Sequence, residues 1–596
     1  MIFCLTQSVK SHGWLDNVLF FRSANLRCRF AAVVLFLILG VVSILTVADA
    51  QNAPEASEKG KEVYEQSCAH CHGTEGRGDG AAAENLLPQP RDFTRGLYKI
   101  RSTESGELPT DQDLFDIVTE GMPGSSMPGW ETALSANDRW EVVAYIKTFH
   151  DGFKEREAPP REINLEGKIP YSEESVEIGK GLYTELGCVE CHGNIGRGDG
   201  TSAPTLTDAW NFQTWPANLT QGWNYRGGFD TEDIFKRFIG GIAGSPMPAF
   251  EGDSFLNFGL TAGESDRLIE LENKDEMTEA EEEESGQLYE KMDEAVNVAL
   301  TRAEGTELTA AEQQMYDNAM KVVYEKSWHL ANYVKSLMPE ERPAPAIGNN
   351  VLRSQYVQGE LPTIDDAVWE TSEASYFPLV GQIIVEPRQF NPTIDAINVK
   401  SFYNDTEVAF LFIWDDRTYT TDEVDEETSE TLEDALAIQF PVKVPQGPTA
   451  PKPYFLSGGR LPVYLWHWKA SAPEQVTEMT AKGINDAEVQ EIQGGLQAKG
   501  TYTDGQYKLW VKRALKTEDK KDLQLEPGVF VPIAFSAWDG SNGDVDTKRT
   551  ITSWYTFVLE PVPSSRRFVY PPLIAILSLG LLFGLRAAVQ RRNSVS

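Results

Sequence analysis

The chain has 596 residues, too many for one hydrophobic core, so several domains are expected. Its formal net charge of −37, from 90 acidic against 53 basic residues, argues against nucleic acid and predicts a self-repelling surface that favours basic redox partners. Of six cysteines, Cys4 and Cys28 stand in the leader, and the other four form two Cys-x-x-Cys-His motifs, which leaves no thiol for a disulfide.

In chain order, residues 1–50 come first. Lys10, Arg22, Arg27 and Arg29 precede an apolar run over 31–47, followed by Ala48-Asp49-Ala50. A basic region, an apolar stretch and a small-residue cleavage site read as a secretory signal peptide. An uncleaved anchor is the alternative, and either way the body is exported.

The two motifs are Cys68-Ala-His-Cys71-His72 and Cys188-Val-Glu-Cys191-His192. This is the spacing of covalent c-type haem attachment, in which two thiols add across the vinyl groups and the adjacent imidazole binds iron from one face. Zinc needs four ligands, and each motif offers three clustered ones. His70 is a spacer inside its motif. Met127 follows Cys68 by 59 residues, and Met247 follows Cys188 by the same 59. Both methionines head Met-Pro, as Met122 does after a glycine five residues earlier, but only Met127 keeps the repeated spacing. A His/Met pair raises the haem potential and closes both axial positions, which suits electron transfer over substrate chemistry.

The expected site is therefore Cys68, Cys71, Cys188 and Cys191 for covalent haem, with His72, Met127, His192 and Met247 as axial ligands. Arg101 and Arg226 fall at similar places between motif and methionine, where a guanidinium either pairs with haem propionates or stands on the surface. Arg77-Gly78 and Arg197-Gly198 belong to a repeated Gly-Arg-Gly-Asp-Gly turn that shapes the loop under the haem. No catalytic residue is expected.

Residues 60–80 match 179–200, and each repeat closes on a similar helical pattern, over 138–149 and 326–337. The two repeats resemble class I cytochrome c domains, and the resemblance covers 57–150 and 175–338. It implies two all-α domains, 51–155 and 170–340, with terminal helices crossing beside the haem. Trp140 and Trp328 correspond but lie 188 residues apart against a motif offset of 120, so the second repeat carries an insert of 68 residues, about 255–322. Its Glu, Ala and Leu, with almost no Gly or Pro, predict helices. Those helices form either a solvated hairpin or an acidic docking surface.

Residues 345–562 alternate short apolar runs with turns. Candidate strands are 397–404, 407–416, 435–442, 462–470, 506–515, 529–540 and 550–561. Seven aromatic-rich strands predict an antiparallel sandwich. The pieces SFYNDTEVAFLFIWDDRT, DALAIQFPV, PVYLWHW and FSAWDG, followed by Ser553-Trp554, resemble the γ subunit of ethylbenzene dehydrogenase and its relatives. Those serve periplasmic molybdenum enzymes for dimethyl sulfide, chlorate, selenate and nitrite. The resemblance implies a b-type haem held between a Met and a Lys, relaying electrons from an iron–sulfur subunit. Here Ser457 precedes Gly458 where the family has its Met, and Arg549 takes the place of the Lys, with Lys548 one residue off as the candidate b-haem ligand. His467, between Trp466 and Trp468, reads as a sheet residue.

Finally, Pro571 to Leu585 is apolar and flanked by Arg566, Arg567, Arg586, Arg591 and Arg592, so 566–592 reads as one transmembrane anchor with its basic end inside.

The fold class expected is multidomain: two all-α cytochrome c domains, an all-β antiparallel sandwich and one C-terminal transmembrane helix. The function expected is an exported electron-transfer subunit of a periplasmic molybdopterin oxidoreductase, on the periplasmic side of the bacterial cytoplasmic membrane. Its cofactors are two covalent haem c, with haem b in the β domain as a third candidate. Its partners are molybdopterin and iron–sulfur subunits, with a soluble cytochrome or membrane oxidase as electron partner. The alternatives are a cytochrome subunit of a quinol-oxidising or terminal oxidase complex and a dihaem peroxidase-like enzyme.

Overall fold

The computed structural model describes residues 56–593 apart from 87, 251–257, 275, 304, 340–350, 425–430, 446–460, 484–485, 491–494, 519–521 and 563–565. The leader over 1–50 and the Ser457-Gly458 pair lie outside the described residues.

The first helical region is built on α1 (Glu58–Ser67), α2 (Asp111–Glu120) and α3 (Ala136–Ile146). Side chains cap all three starts: Ser57 accepts from Gly60 N, Thr110 and Asp113 form a reciprocal capping box, and Ser135 accepts from Asp138 N. α1 crosses α3 at Gly60, where a Cβ would collide with the Glu141 carbonyl oxygen. Val63, Tyr64, Val142 and Val143 fill the crossing.

The second region repeats the plan with α4 (Glu173–Glu185), α5 (Thr231–Gly240), α6 (Ala262–Glu272), α7 (Glu279–Ala303) and α8 (Ala310–Ser336). α4 crosses α8 at Gly179, again where a Cβ would strike a carbonyl, that of His329. The tryptophans keep the correspondence. Trp140 stacks on Phe115 at 4.1 Å between ring centres, and Trp328 stacks on Phe235 at 3.9 Å. The insert is helical. α8 runs unbroken from its second half into the closing helix of the repeat, since no Gly or Pro interrupts 310–336. Ala295, Val298, Tyr316, Ala319 and Met320 bury one face of the insert on the second region. Its Arg302 reaches the first region, where Nη1 and Nη2 donate to the Glu104 carboxylate at 2.8 and 3.0 Å.

The β domain contains β1 (Val351–Tyr356), β2 (Ser375–Pro378), β3 (Ala396–Tyr403), β4 (Glu407–Asp415), β5 (Ala435–Pro441) and β6 (Val463–Lys469). It continues with β7 (Val476–Ala481), β8 (Gln497–Thr503), β9 (Gln506–Ala514), β10 (Phe530–Trp538), β11 (Thr550–Ile551) and β12 (Tyr555–Leu559). The main path is β7-β6-β5-β10-β12-β1-β3-β4-β9-β8, with β2 beside β3 and β11 beside β10. Pairing is antiparallel except at β1, which lies parallel to both β12 and β3, so the sheet is mixed at its centre.

The sheet doubles over. Strands far apart along it meet through their side chains, with Phe410 of β4 edge-on to Trp466 of β6 at 5.7 Å and Trp414 edge-on to Trp468 at 5.7 Å. These rings form the core between the two layers. The outer side of β3 and β4 is covered as well, by Leu361, Ile364 and Trp369 against Phe402, Ala409 and Leu411. That cover explains why the β4 sequence is almost continuously apolar.

The chain ends on α9 (Arg566–Asn593), whose Pro571–Arg591 stretch is apolar, uncovered by the rest of the chain and long enough to cross a membrane.

Candidate functional site

The first Cys-x-x-Cys-His motif forms a short helix at the end of α1. Cys68, Cys71, His72 and Met127 line one cavity together with Met122, Tyr98, Leu114, Val118 and Trp130. Its empty space, open mouth included, is about 1230 Å³.

His72 is aimed by two contacts. Its Nδ1 lies 3.0 Å from the Arg91 carbonyl oxygen, and its ring stacks on Phe93 at 4.6 Å. That arrangement puts the proton on Nδ1 and leaves Nε2 for a metal. The second site repeats it, with His192 Nδ1 3.1 Å from the Ala217 carbonyl. Burial holds both imidazoles below the ordinary histidine value, in the neutral form that binds iron. It also pushes the thiols of Cys68 and Cys188 up to about 12 and about 11, so neither is a free reactive thiolate. The same contact braces each motif: Tyr64 Oη donates to the Gly73 carbonyl at 2.7 Å, and Tyr183 Oη to the Gly193 carbonyl at 2.8 Å.

The methionine loops match. Met127 N donates to Ser125 Oγ at 3.3 Å, and Met247 N to Ser245 Oγ at 3.3 Å. Met122 N donates to the Met127 carbonyl at 3.0 Å, and at the corresponding place Ile242 N donates to the Met247 carbonyl at 3.2 Å. Met122 also lines the cavity, but Ile242 stands at its place in the second region, so Met127 and Met247 are the methionines that match.

The arginines fall differently from the sequence expectation. Arg101 is buried and is not among the residues lining the cavity. It donates to the carbonyls of Tyr98, Glu104 and, across the boundary, Gly240. Its place in the sequence matches a propionate contact, but its guanidinium ties the two helical regions together. Arg226 lines the cavity that holds His72, outside its own helical region. Arg91 and Lys99 also line it, and sequence reasoning missed both, because neither stands at a repeated position. Arg77 pairs with Glu75 on the surface, whereas Arg197 faces the β domain, where it meets Asp415 at 3.3 Å and donates to the Asp504 carbonyl at 2.8 Å. Asn218 and Gln221 donate to Asp415 as well, at 3.1 and 3.2 Å.

In the β domain Lys548 Nζ donates to the Asn542 carbonyl and lies 3.9 Å from Asp544. His467 lies edge-on to Trp538 at 5.5 Å, and Arg549 lies over the same indole at 5.1 Å. Burial first, then Lys469 and Arg549, push His467 down to about 4, so it is a neutral ring on the outer side of β6.

A duplicated helical cradle with a Cys-x-x-Cys-His helix, facing an apolar cavity with a methionine on its wall, defines a c-type cytochrome. Comparison with known proteins agrees. Residues 55–146 match the family described as cytochrome C oxidase, cbb3-type, subunit III, and residues 366–495 match ethylbenzene dehydrogenase. The chain is 30% identical to cytochrome c55X of Paracoccus denitrificans over 115 residues, which is 19% of this chain and 94% of that one. It is 25% identical over 222 residues to a respiratory nitrate reductase heme subunit of Haloferax mediterranei, 37% of this chain and 74% of the relative. It is 29% identical over 143 residues to the chlorate reductase subunit gamma of Ideonella dechloratans, 24% of this chain and 56% of that subunit, so it spans just over half of the latter. The chain belongs to the cytochrome c family, with an ethylbenzene dehydrogenase γ-like domain joined behind its cytochrome regions.

Proposed function

We propose that the protein is an exported, membrane-anchored dihaem cytochrome that carries electrons for a molybdopterin oxidoreductase of the nitrite, nitrate or chlorate type. The observation that carries this reading is the duplicated cradle, in which a carbonyl fixes His72 and His192 through Nδ1 and a serine-braced loop presents Met127 and Met247. Bound there, haem supplies a one-electron couple. Cys68, Cys71, Cys188 and Cys191 would anchor two haems covalently, while His72, Met127, His192 and Met247 fill their axial positions. With both positions filled, no site remains for peroxide, which disfavours the peroxidase alternative.

The β domain supports the choice of complex through its likeness to the gamma subunit. The hydrogen bonds that its Asp415 carboxylate and Asp504 carbonyl accept from Arg197, Asn218 and Gln221 of the second helical region support a docking role. Lys548 is committed to the Asn542 carbonyl and Asp544, a poor arrangement for an iron ligand, so this reading places no haem b there. The uncovered apolar α9, with Arg586 and Arg591 toward its far end, supports a single C-terminal anchor with the body on the periplasmic side.

The match to an oxidase subunit favours one second reading, a cytochrome component of a terminal oxidase. Purifying the tagged full-length chain from native membranes and assaying the copurified metals decides between them. Molybdenum with iron–sulfur clusters is expected. A haem–copper oxidase in their place overturns the reading.

A further inference from the structure

In a chain of net charge −37, partly buried cations gathered on one cavity mark a place that expects an anion. Four cations gather where the two helical regions and the β domain join: Arg91 and Lys99 from the first region, Arg226 from the second and Arg417 from the β domain. Arg91, Lys99 and Arg226 line the cavity that holds His72 and Met127.

Arg226 arrives from outside the region that forms this cavity. Its Nη2 donates to the Gly124 carbonyl at 3.2 Å and its Nε lies 3.4 Å from the Pro123 carbonyl, both in the loop that carries Met127. Carbonyls orient a guanidinium without cancelling its charge. Arg91 lies 4.4 Å over Trp210, and Arg417 lies 5.7 Å over Trp215, two residues from the Ala217 carbonyl that aims His192. Burial holds Arg91 and Lys99 down to about 10 and about 8, and it lowers Arg226 and Arg417 as well. Repulsion within the group adds to this, acting between Arg91, Lys99 and Arg226 and between Arg226 and Arg417. Asp208 offsets part of it at Arg91 and Lys99, Asp92 at Arg91, and Asp539, Asp416 and Asp395 at Arg417, which leaves Arg226 the cation without a carboxylate acting on it.

We infer that this junction is the carboxylate site for the propionates of the first haem, and that the second helical region completes it in trans through Arg226. The propionates are the anionic groups of a haem, and the cations share a cavity with the candidate axial ligands, so the match is of charge and of place. This inference rests on the dihaem reading above. Carboxylates held by Arg91, Lys99 and Arg226 would lie on the side of the cavity that faces the second helical region. The site also makes the first haem's potential depend on docking: a positive charge at the propionates favours the ferrous state, so Arg226 raises that potential.

The test is spectroelectrochemical titration of full-length holoprotein carrying Arg226→Gln or Arg226→Lys. Met127→His, read alongside, identifies the couple that belongs to the first haem. Arg226→Gln is expected to lower the first haem's midpoint potential and to leave the second haem's nearly in place. The pH dependence of that potential should move to higher pH as the propionates lose their cation. Arg226→Lys should restore most of the shift, which a purely structural tie between loops would not do. A shift confined to the second haem, or an unshifted first haem in a variant that keeps its full haem content, overturns the clamp. A haem count on the wild type is read separately: absence of covalent haem there sinks the dihaem reading itself.

Discussion

The Nδ1 atom of His72 lies 3.0 Å from the carbonyl oxygen of Arg91, and this one contact joins the aim of the imidazole to the position of a cavity-lining cation. The carbonyl holds the proton on Nδ1 and leaves Nε2 free to bind a metal, and because the same residue lines the cavity, its guanidinium stays beside His72. In the second site Ala217 supplies the carbonyl without the cation, so the two sites share ligand geometry and differ in charge. Two potentials are expected from one repeated fold.

Met127→His and Met247→His should each abolish the methionine–iron absorption band of one haem and lower that haem's potential, since His/Met ligation is what raises it. Met122→His should leave both bands intact, because its counterpart in the second site is Ile242. Loss of a band in Met122→His would transfer the ligand role to that residue.

Tyr64 is fully buried and donates to the Gly73 carbonyl at 2.7 Å. Tyr64→Phe strands that carbonyl and should cost about 1–3 kcal/mol. Thermal unfolding of the holoprotein should register it in the first helical region, and Tyr183→Phe should act likewise in the second. No change in either midpoint would mean that water replaces the phenol.

The helix crossings leave no space at Gly60 and Gly179, each pressed on a carbonyl of the opposing helix. Gly60→Ala and Gly179→Ala should force the helices apart at a cost of about 2–3 kcal/mol each, which outweighs the ~1 kcal/mol gained from alanine's helix propensity. Chemical denaturation measures the sign directly, and stabilisation by either variant would contradict the crossing geometry.

The β domain carries a reversed pH signature. Burial first, then Asp539, raises Asp544 to about 8, against Lys548, which lies 3.9 Å away and lowers it. Burial and mutual repulsion raise Asp416 and Asp434 in the same direction, with Asp539, Arg417 and Tyr507 around them. A carboxyl whose folded value exceeds its unfolded value binds more protons folded than unfolded. It therefore stabilises at low pH, and that stability is lost as pH rises from about 4 through about 8. The unfolding midpoint of the β domain should accordingly fall between pH 6 and pH 8, and Asp544→Asn should flatten the dependence. A midpoint that rises over that interval would refute the assignment.

Much of this was legible in the residues. The Cys-x-x-Cys-His motifs, the equal methionine spacing and the last apolar helix are local signals, and all seven apolar runs of the β region appear as strands, the last divided into β11 and β12. The strands that went unseen lack that signal. β7 (VTEMTA) and β8 (QAKGTYT) are polar, near-edge strands, β1 (VLRSQY) is half polar, and β2 is four residues long and ends in proline. The parallel seating of β1 depends on two distant partners and leaves no trace in its own sequence. The arginines show the same limit. Arg101 and Arg226 hold comparable sequence positions, yet Arg101 is used up on the Gly240 carbonyl while Arg226 enters the neighbour's cavity. Which region a long side chain serves is decided by docking, and spacing within one repeat does not encode docking.

The most direct measurement is a pyridine haemochrome spectrum with haem counted per chain on the purified full-length protein, before and after acid–acetone extraction. Two c-type haems per chain are expected, both retained by the protein through extraction. One haem or none per chain, or haem that leaves with the solvent, would contradict the dihaem reading.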